Sequence, residues 1–196
     1  SLAWLVVVEK CFQSCDLVDL MCYANRPLLY IAGVGMLSID DLERCLSAVR
    51  ESEHFEFKEA KLQYDTSKLF KYCVALANEN GGYLVLGVTD KLPRMVVGTQ
   101  AFALPNEISK LKAQIFSKLN MRVNISELNH QDGRVLVFEV PPRPPGTALA
   151  VDGAYWMRVG EQLVAMTPDQ LRKIFMENQP DWFSQIAKSH LTPDEI

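Results

Sequence analysis

ESEHFEFKEAKLQYDTSKLFKYCVALANENGGYLVLGVTD, residues 51–90, decides the fold. It predicts a strand, a helix, a glycine turn and a second strand that ends on an acid. Across His54–Lys58 the side chains alternate, with Phe55 and Phe57 on one face and Glu56 and Lys58 on the other. Asp65 or Thr66 caps a helix that carries Leu69, Phe70, Cys73, Val74, Leu76 and Ala77 at helical spacing. Gly81 and Gly82 stop it, because glycine passes freely through positive φ. Tyr83–Val88 is a nearly continuous apolar run, as a strand covered on both faces requires. Asp90 follows where that strand leaves the sheet, a usual place for a functional acid.

The 196 residues suffice for one sizeable domain, and 48% hydrophobic with 22% charged residues is ordinary globular composition. No apolar run has the length to cross a bilayer, and Leu2–Val8 lacks the preceding basic residues of a signal peptide. A cytoplasmic protein without a membrane partner is expected. The net charge of −4 argues against nucleic-acid binding through overall charge and leaves room for a local basic groove. Cys11, Cys15 and Cys22 match no common zinc spacing, so the five cysteines are expected to be reduced thiols.

Residues 1–35 stand apart, apolar and cysteine-rich. They are either an extra element packed on the domain or upstream sequence without an evolved role. From Met36 the pattern becomes regular: Ser38 and Asp41 resemble a capping box, and Ile39, Leu42, Leu46 and Val49 give a helix one apolar face. The domain is expected over residues 36–178, with 179–196 the start of a truncated C-terminal region. After Asp90 come a turn and short strand, then a helix over Asn106–Leu119. A hairpin of Val123–His130 and Arg134–Val140 follows. Pro141–Pro145 is an extended connector, since proline cannot pair in a sheet. A second hairpin, Ala148–Val151 and Ala154–Val159, leads to a helix capped by Thr167. The class expected is α+β: a mixed, largely antiparallel sheet of about five or six strands with helices packed on it.

Glu56 and Lys58, two apart on a strand, suit phosphodiester chemistry. The acid helps hold a divalent cation, and the lysine orients water or offsets charge growing on phosphate. Glu51 and Asp90 would complete three carboxylates, a ligand set for Mg²⁺ or Mn²⁺. The plainer alternative is an ion pair at a sheet edge. Asn78, Gly81 and Gly82 form a C-cap that lets helix and strand pack closely, or else offer bare backbone N–H groups to a phosphate. No GxxxxGK[ST] string occurs, so ATP is not expected as a cofactor. Trp156 and Arg158 share a strand face. They either stack a base and clamp a phosphate, or the arginine pairs with a core acid. Lys61, Lys68 and Lys71, near Lys58 in sequence, would line a groove that binds a nucleic-acid backbone in a salt-sensitive manner. Lys110, Lys112, Lys118 and Arg122 form a solvated face or, alternatively, a phosphate-tracking one.

Three ordered motifs, ESEHFEFK (51–58), ALANENGGYLVLGVTD (75–90) and YWMRVG (155–160), resemble the Schlafen-type AlbA-like DNA-binding domain family, called divergent AAA in older naming. The resemblance covers roughly residues 42–178. It implies a DNA-binding domain of the kind found in bacterial transcriptional regulators and helicase-like proteins. In vertebrate Schlafens the domain is duplicated into a clamp that cleaves tRNA and rRNA, and its three catalytic acids match Glu51, Glu56 and Asp90. One copy is present here, so a clamp would require a homodimer.

The preferred function is therefore a nucleic-acid-binding module with a candidate metal-dependent nuclease site at Glu51, Glu56, Lys58 and Asp90. The alternatives are an active endoribonuclease on RNA, and a protein-interaction or ligand-sensing domain whose acids are structural.

Overall fold

A computed structural model describes residues 37–47, 54–160 and 162–177. The segment 1–35 with its cysteines, Glu51, and residues 179–196 lie outside these, together with the expectations attached to them.

Helix α1 (Ile39–Ser47) begins on the capping box: Ser38 Oγ accepts from the Asp41 N–H, and the Asp41 carboxylate accepts from the Ser38 N–H. Burial works against the Asp41 charge, but those Ser38 bonds and Arg44 hold its carboxyl below the ordinary value. β1 (Phe55–Lys58) follows, then α2 (Thr66–Asn78), capped by the Asp65 side chain on the Ser67 N–H, then β2 (Gly82–Leu86). β1 and β2 run parallel, Phe55 opposite Tyr83 through Lys58 opposite Leu86, and α2 supplies the crossover such a pair needs.

α3 (Glu107–Leu119) leads into the hairpin of β3 (Asn124–His130) and β4 (Gly133–Val140). β4 inserts antiparallel beside β2, giving a four-stranded mixed sheet of order β1-β2-β4-β3. All five residues of β2 are buried because helices cover both faces. On one face Leu84, Leu86, Leu136 and Phe138 pack under α2 and α3. On the other, Phe57, Tyr83, Val85, Val135 and Val137 meet Leu37 and Leu42. A fully buried side chain such as Phe138 or Leu84 contributes about 2 kcal/mol.

The strands after the prolines form a separate antiparallel sheet of β5 (Ala150–Val151), β6 (Ala154–Val159) and β7 (Gln162–Ala165), with β6 packed on α2. α4 (Pro168–Phe175) closes the described chain on a reciprocal Thr167–Gln170 capping box. The class is α+β as expected, and its strands divide between two sheets. The proline connector is the cause: after β4 it offers almost no N–H groups for pairing and carries the chain across the end of α2, where new strands start a new sheet. β7 escapes sequence reading because its four residues, QLVA, alternate too briefly to stand out. No helix among the described residues is long and apolar enough to cross a membrane.

Candidate functional site

Alternation along β1 sends Glu56 and Lys58 to the α2 side of the sheet, while Phe57 faces the α1 side. Since β1 is parallel to β2, the chain leaving β2 passes the end of β1, and Asp90 arrives beside Lys58. The Lys58 ammonium donates to Asp90 Oδ2 at 2.7 Å and lies 2.9 Å from Glu56 Oε1. The Glu59 N–H donates to Asp90 Oδ1 at 3.3 Å.

A second cation closes on Glu56 from β6. Arg158 Nη1 donates to Glu56 Oε2 at 3.0 Å and to the Phe55 carbonyl at 3.2 Å. Its Nε donates to Glu79 Oε2 at 3.1 Å, and its backbone N–H donates to Glu79 Oε1 at 2.7 Å. Charges therefore alternate in a row: Asp90, Lys58, Glu56, Arg158, Glu79. The row is graded in exposure, from 38% at Asp90 and 14% at Lys58 to 5% at Glu56 and 7% at Arg158. Glu79 at the other end is 24% exposed, so the row is dry in its middle and opens to solvent at both ends, more widely at Asp90.

Burial alone would favour neutral Lys58, but its hydrogen bonds to Asp90 and Glu56 outweigh that and hold the ammonium above its ordinary pKa. The Tyr72 ring lies beneath it, with Nζ 5.6 Å from the ring centroid. Burial, then the Glu56 charge, raises the Tyr72 hydroxyl. The Tyr64 hydroxyl is buried with no hydrogen-bond partner among the described residues, and burial followed by Tyr72, Glu56 and Asp90 raises it as well. Tyr64, Tyr72 and Glu79 are the members of this cluster that sequence reasoning missed. Tyr64 lies in a loop without pattern, and Glu79 joins only through the packing of β6 on α2.

Among the described residues no three His, Cys, Asp or Glu side chains are placed to hold a metal ion. Both Glu56 oxygens and Asp90 Oδ2 already accept from protein cations, with the Lys58 ammonium between the two carboxylates. As arranged, these donors do not by themselves fit Mg²⁺ or Mn²⁺, and Glu51 lies outside the described residues.

The other residues singled out in the sequence fall into two groups. Lys61, Lys68 and Lys71 lie toward solvent. Lys61 is 62% exposed and 3.4 Å from Glu59, and Lys68 is exposed on α2. The Lys71 ammonium sits 4.8 Å from the Trp156 ring centroid, and the indole N–H donates to the Val151 carbonyl at 3.1 Å. Asn78, Gly81 and Gly82 lie in the interior. The Asn78 amide donates to the Leu149 and Trp156 carbonyls at 3.0 and 2.9 Å and accepts from the Leu149 N–H at 2.9 Å. Gly81, at φ +85°, donates its N–H to the Leu76 carbonyl, and a Cβ on Gly82 would overlap the His54 carbonyl oxygen. The structure thus joins Glu56, Lys58, Asp90 and Arg158, groups Lys71 with Trp156, and sets Asn78, Gly81 and Gly82 into packing.

A family model described as Schlafen, AlbA_2 matches residues 51–167. No curated protein matches the chain. Of solved structures, the crystal structure of the DIP2311 protein from Corynebacterium diphtheriae is similar at 19% identity and a TM-score of 0.54. That match covers 72% of this chain and 28% of DIP2311, so it bears on the fold alone and this chain spans about a quarter of that protein's length. The solution NMR structure of the N-terminal domain of a RecG-related protein from Nitrosomonas europaea matches at 28% identity and a TM-score of 0.46, covering 65% of this chain and 92% of that one.

Proposed function

This chain belongs to the Schlafen AlbA_2 family, and from that premise we propose that it is a nucleic-acid-binding module, of a kind that serves a transcriptional regulator or helicase-like protein. The observation that carries this reading is the solvent side of α2. Its thirteen residues include Lys68 and Lys71 and no acid, and Lys71 lies over the face of Trp156. An ammonium held on an indole face meets a phosphate while the ring stays beside the sugar and base. The overall charge of −4 then acts against non-specific binding, and affinity depends on this local face.

Fluorescence anisotropy with labelled DNA and RNA across a salt series tests the reading. Affinity should fall steeply with salt, and the paired changes Lys68→Glu and Lys71→Glu should weaken binding by about tenfold or more and flatten the slope by one to two phosphate contacts, roughly 0.7–0.9 each. Binding indifferent to salt and to both lysines would instead favour a protein-interaction or ligand-sensing domain.

Cleavage is a second reading, favoured by the meeting of Glu56, Lys58 and Asp90 at one solvent-facing end. There Lys58 would offset charge on a bound phosphate. Incubating the protein with short RNA and Mn²⁺ checks it: cutting abolished by Asp90→Ala with binding retained supports catalysis, and an inert parent protein removes it.

A further inference from the structure

α3 is a second helix rich in lysines, with a single acid, Glu107, in its first turn. From Ile108 to Ser126 the chain holds Lys110, Lys112, Lys118 and Arg122 and no acidic residue, within a protein of net charge −4. Among the described residues none of the four is ion-paired with a carboxylate. Leu111, Ile115 and Leu119 seat the helix on the core and turn its remaining sides outward. One of the side chains so exposed is aromatic: Phe116 is 48% exposed. Lys112 lies one turn before it on the same flank, and the Arg122 guanidinium sits 5.4 Å from its ring centroid. On the opposite flank the Lys118 ammonium reaches α2, 5.0 Å from the ring centroid of Phe70.

A single exposed phenylalanine is common on protein surfaces and by itself means little. Here the ring lies between Lys112, one turn before it, and Arg122, just past the helix, while the helix's one acid, Glu107, sits in its first turn. This is the combination that single-stranded nucleic acid uses: a flat apolar platform for a base with positive groups for the phosphates on either side. We propose that the Lys112–Phe116–Arg122 flank stacks an unpaired base, making single-stranded nucleic acid the preferred partner. A duplex keeps its bases stacked on one another and would present only backbone to the ring. This inference rests on the nucleic-acid reading above and adds the strandedness of the ligand.

The test compares a labelled single strand with its duplex, using the full chain and the variants Phe116→Leu, Phe116→Trp and Arg122→Gln, each checked for an unchanged circular dichroism spectrum. Phe116→Leu keeps an apolar side chain but removes the ring. It should weaken single-strand binding by about 5- to 10-fold, at the low end for a lost stacking contact, and leave the duplex unaffected. Phe116→Trp should bind the single strand at least as tightly as the parent, with its added indole emission quenched by the strand. Arg122→Gln should lower the salt slope by about one phosphate contact. An unchanged affinity of Phe116→Leu for the single strand, or an equal loss on the duplex, would overturn the stacking proposal. If the α2 lysine changes still weaken binding in that case, the nucleic-acid reading survives it. If the parent binds neither strand nor duplex, both fall together.

Discussion

Glu56 and Arg158 face each other across 102 residues of sequence at 3.0 Å, each almost wholly removed from water. A buried pair of this kind adds little net stability compared with apolar residues of the same shape, yet losing one partner is costly because the other is left charged and dry. Arg158→Met leaves Lys58 as the one cation on the buried Glu56 and leaves Glu79 only the backbone N–H of residue 158. Urea unfolding should place the variant about 3 kcal/mol below the parent, with part of the loss recovered when Glu56→Gln is added. A single variant as stable as the parent would mean that water already reaches Glu56. The sequence brought Glu56 and Lys58 to one face by simple alternation, and it placed Asp90 at the mouth of a buried strand. For Arg158 it left two choices, a phosphate clamp or a partner for a core acid. Its side chain bonds to Glu56 and Glu79, a contact that depends on how the small sheet rests on α2 and so has no local signature.

At the scale of elements, the proline connector holds more than its composition suggests. Arg143 donates its N–H to the Ala77 carbonyl and its Nε to the Asn78 carbonyl, both unpaired at the end of α2. Its guanidinium also takes Glu177 bidentately, at 2.7 and 2.5 Å, just beyond α4. The hydrogen bonds from Arg143 hold the Glu177 carboxyl at about 2, down from 4.5. A depressed folded-state pKa contributes stability that is complete above 4.5 and disappears as pH falls toward 2. Because Glu177 is 38% exposed, solvent screening reduces the contribution to about 1 kcal/mol or less. Thermal melts through that acid window should show the parent losing stability more steeply than Glu177→Gln, and parallel curves would sink the assignment. The Thr167 cap and the Asp65 cap were legible because capping chemistry is local. Arg143 was not, since nothing near it in sequence announces the two helix ends it serves.

For the whole molecule, the α+β class, the glycine turn after α2 and the hairpin of β3 and β4 followed from periodicity and turn residues. The division into two sheets did not, because a pattern of strands fixes their number more firmly than their neighbours. The two basic helices lie on the same side of the main sheet, packed on one core with Lys118 of α3 reaching across to α2.

Asn78 has a consequence for how the protein comes apart. One carboxamide answers both backbone groups of Leu149 and the carbonyl of Trp156, as a neighbouring strand would, and Glu79 receives the amide of Arg158 one residue later. Deuterium uptake should therefore find the amides of Leu149 and Arg158 opening at the same rate as the last turn of α2, well behind the exposed hairpin tip at Asp152 and Gly153. Early labelling at those two positions would uncouple them from α2. Shared timing would mean that the small sheet is seamed to the end of α2 by these two side chains and has no separate melting of its own.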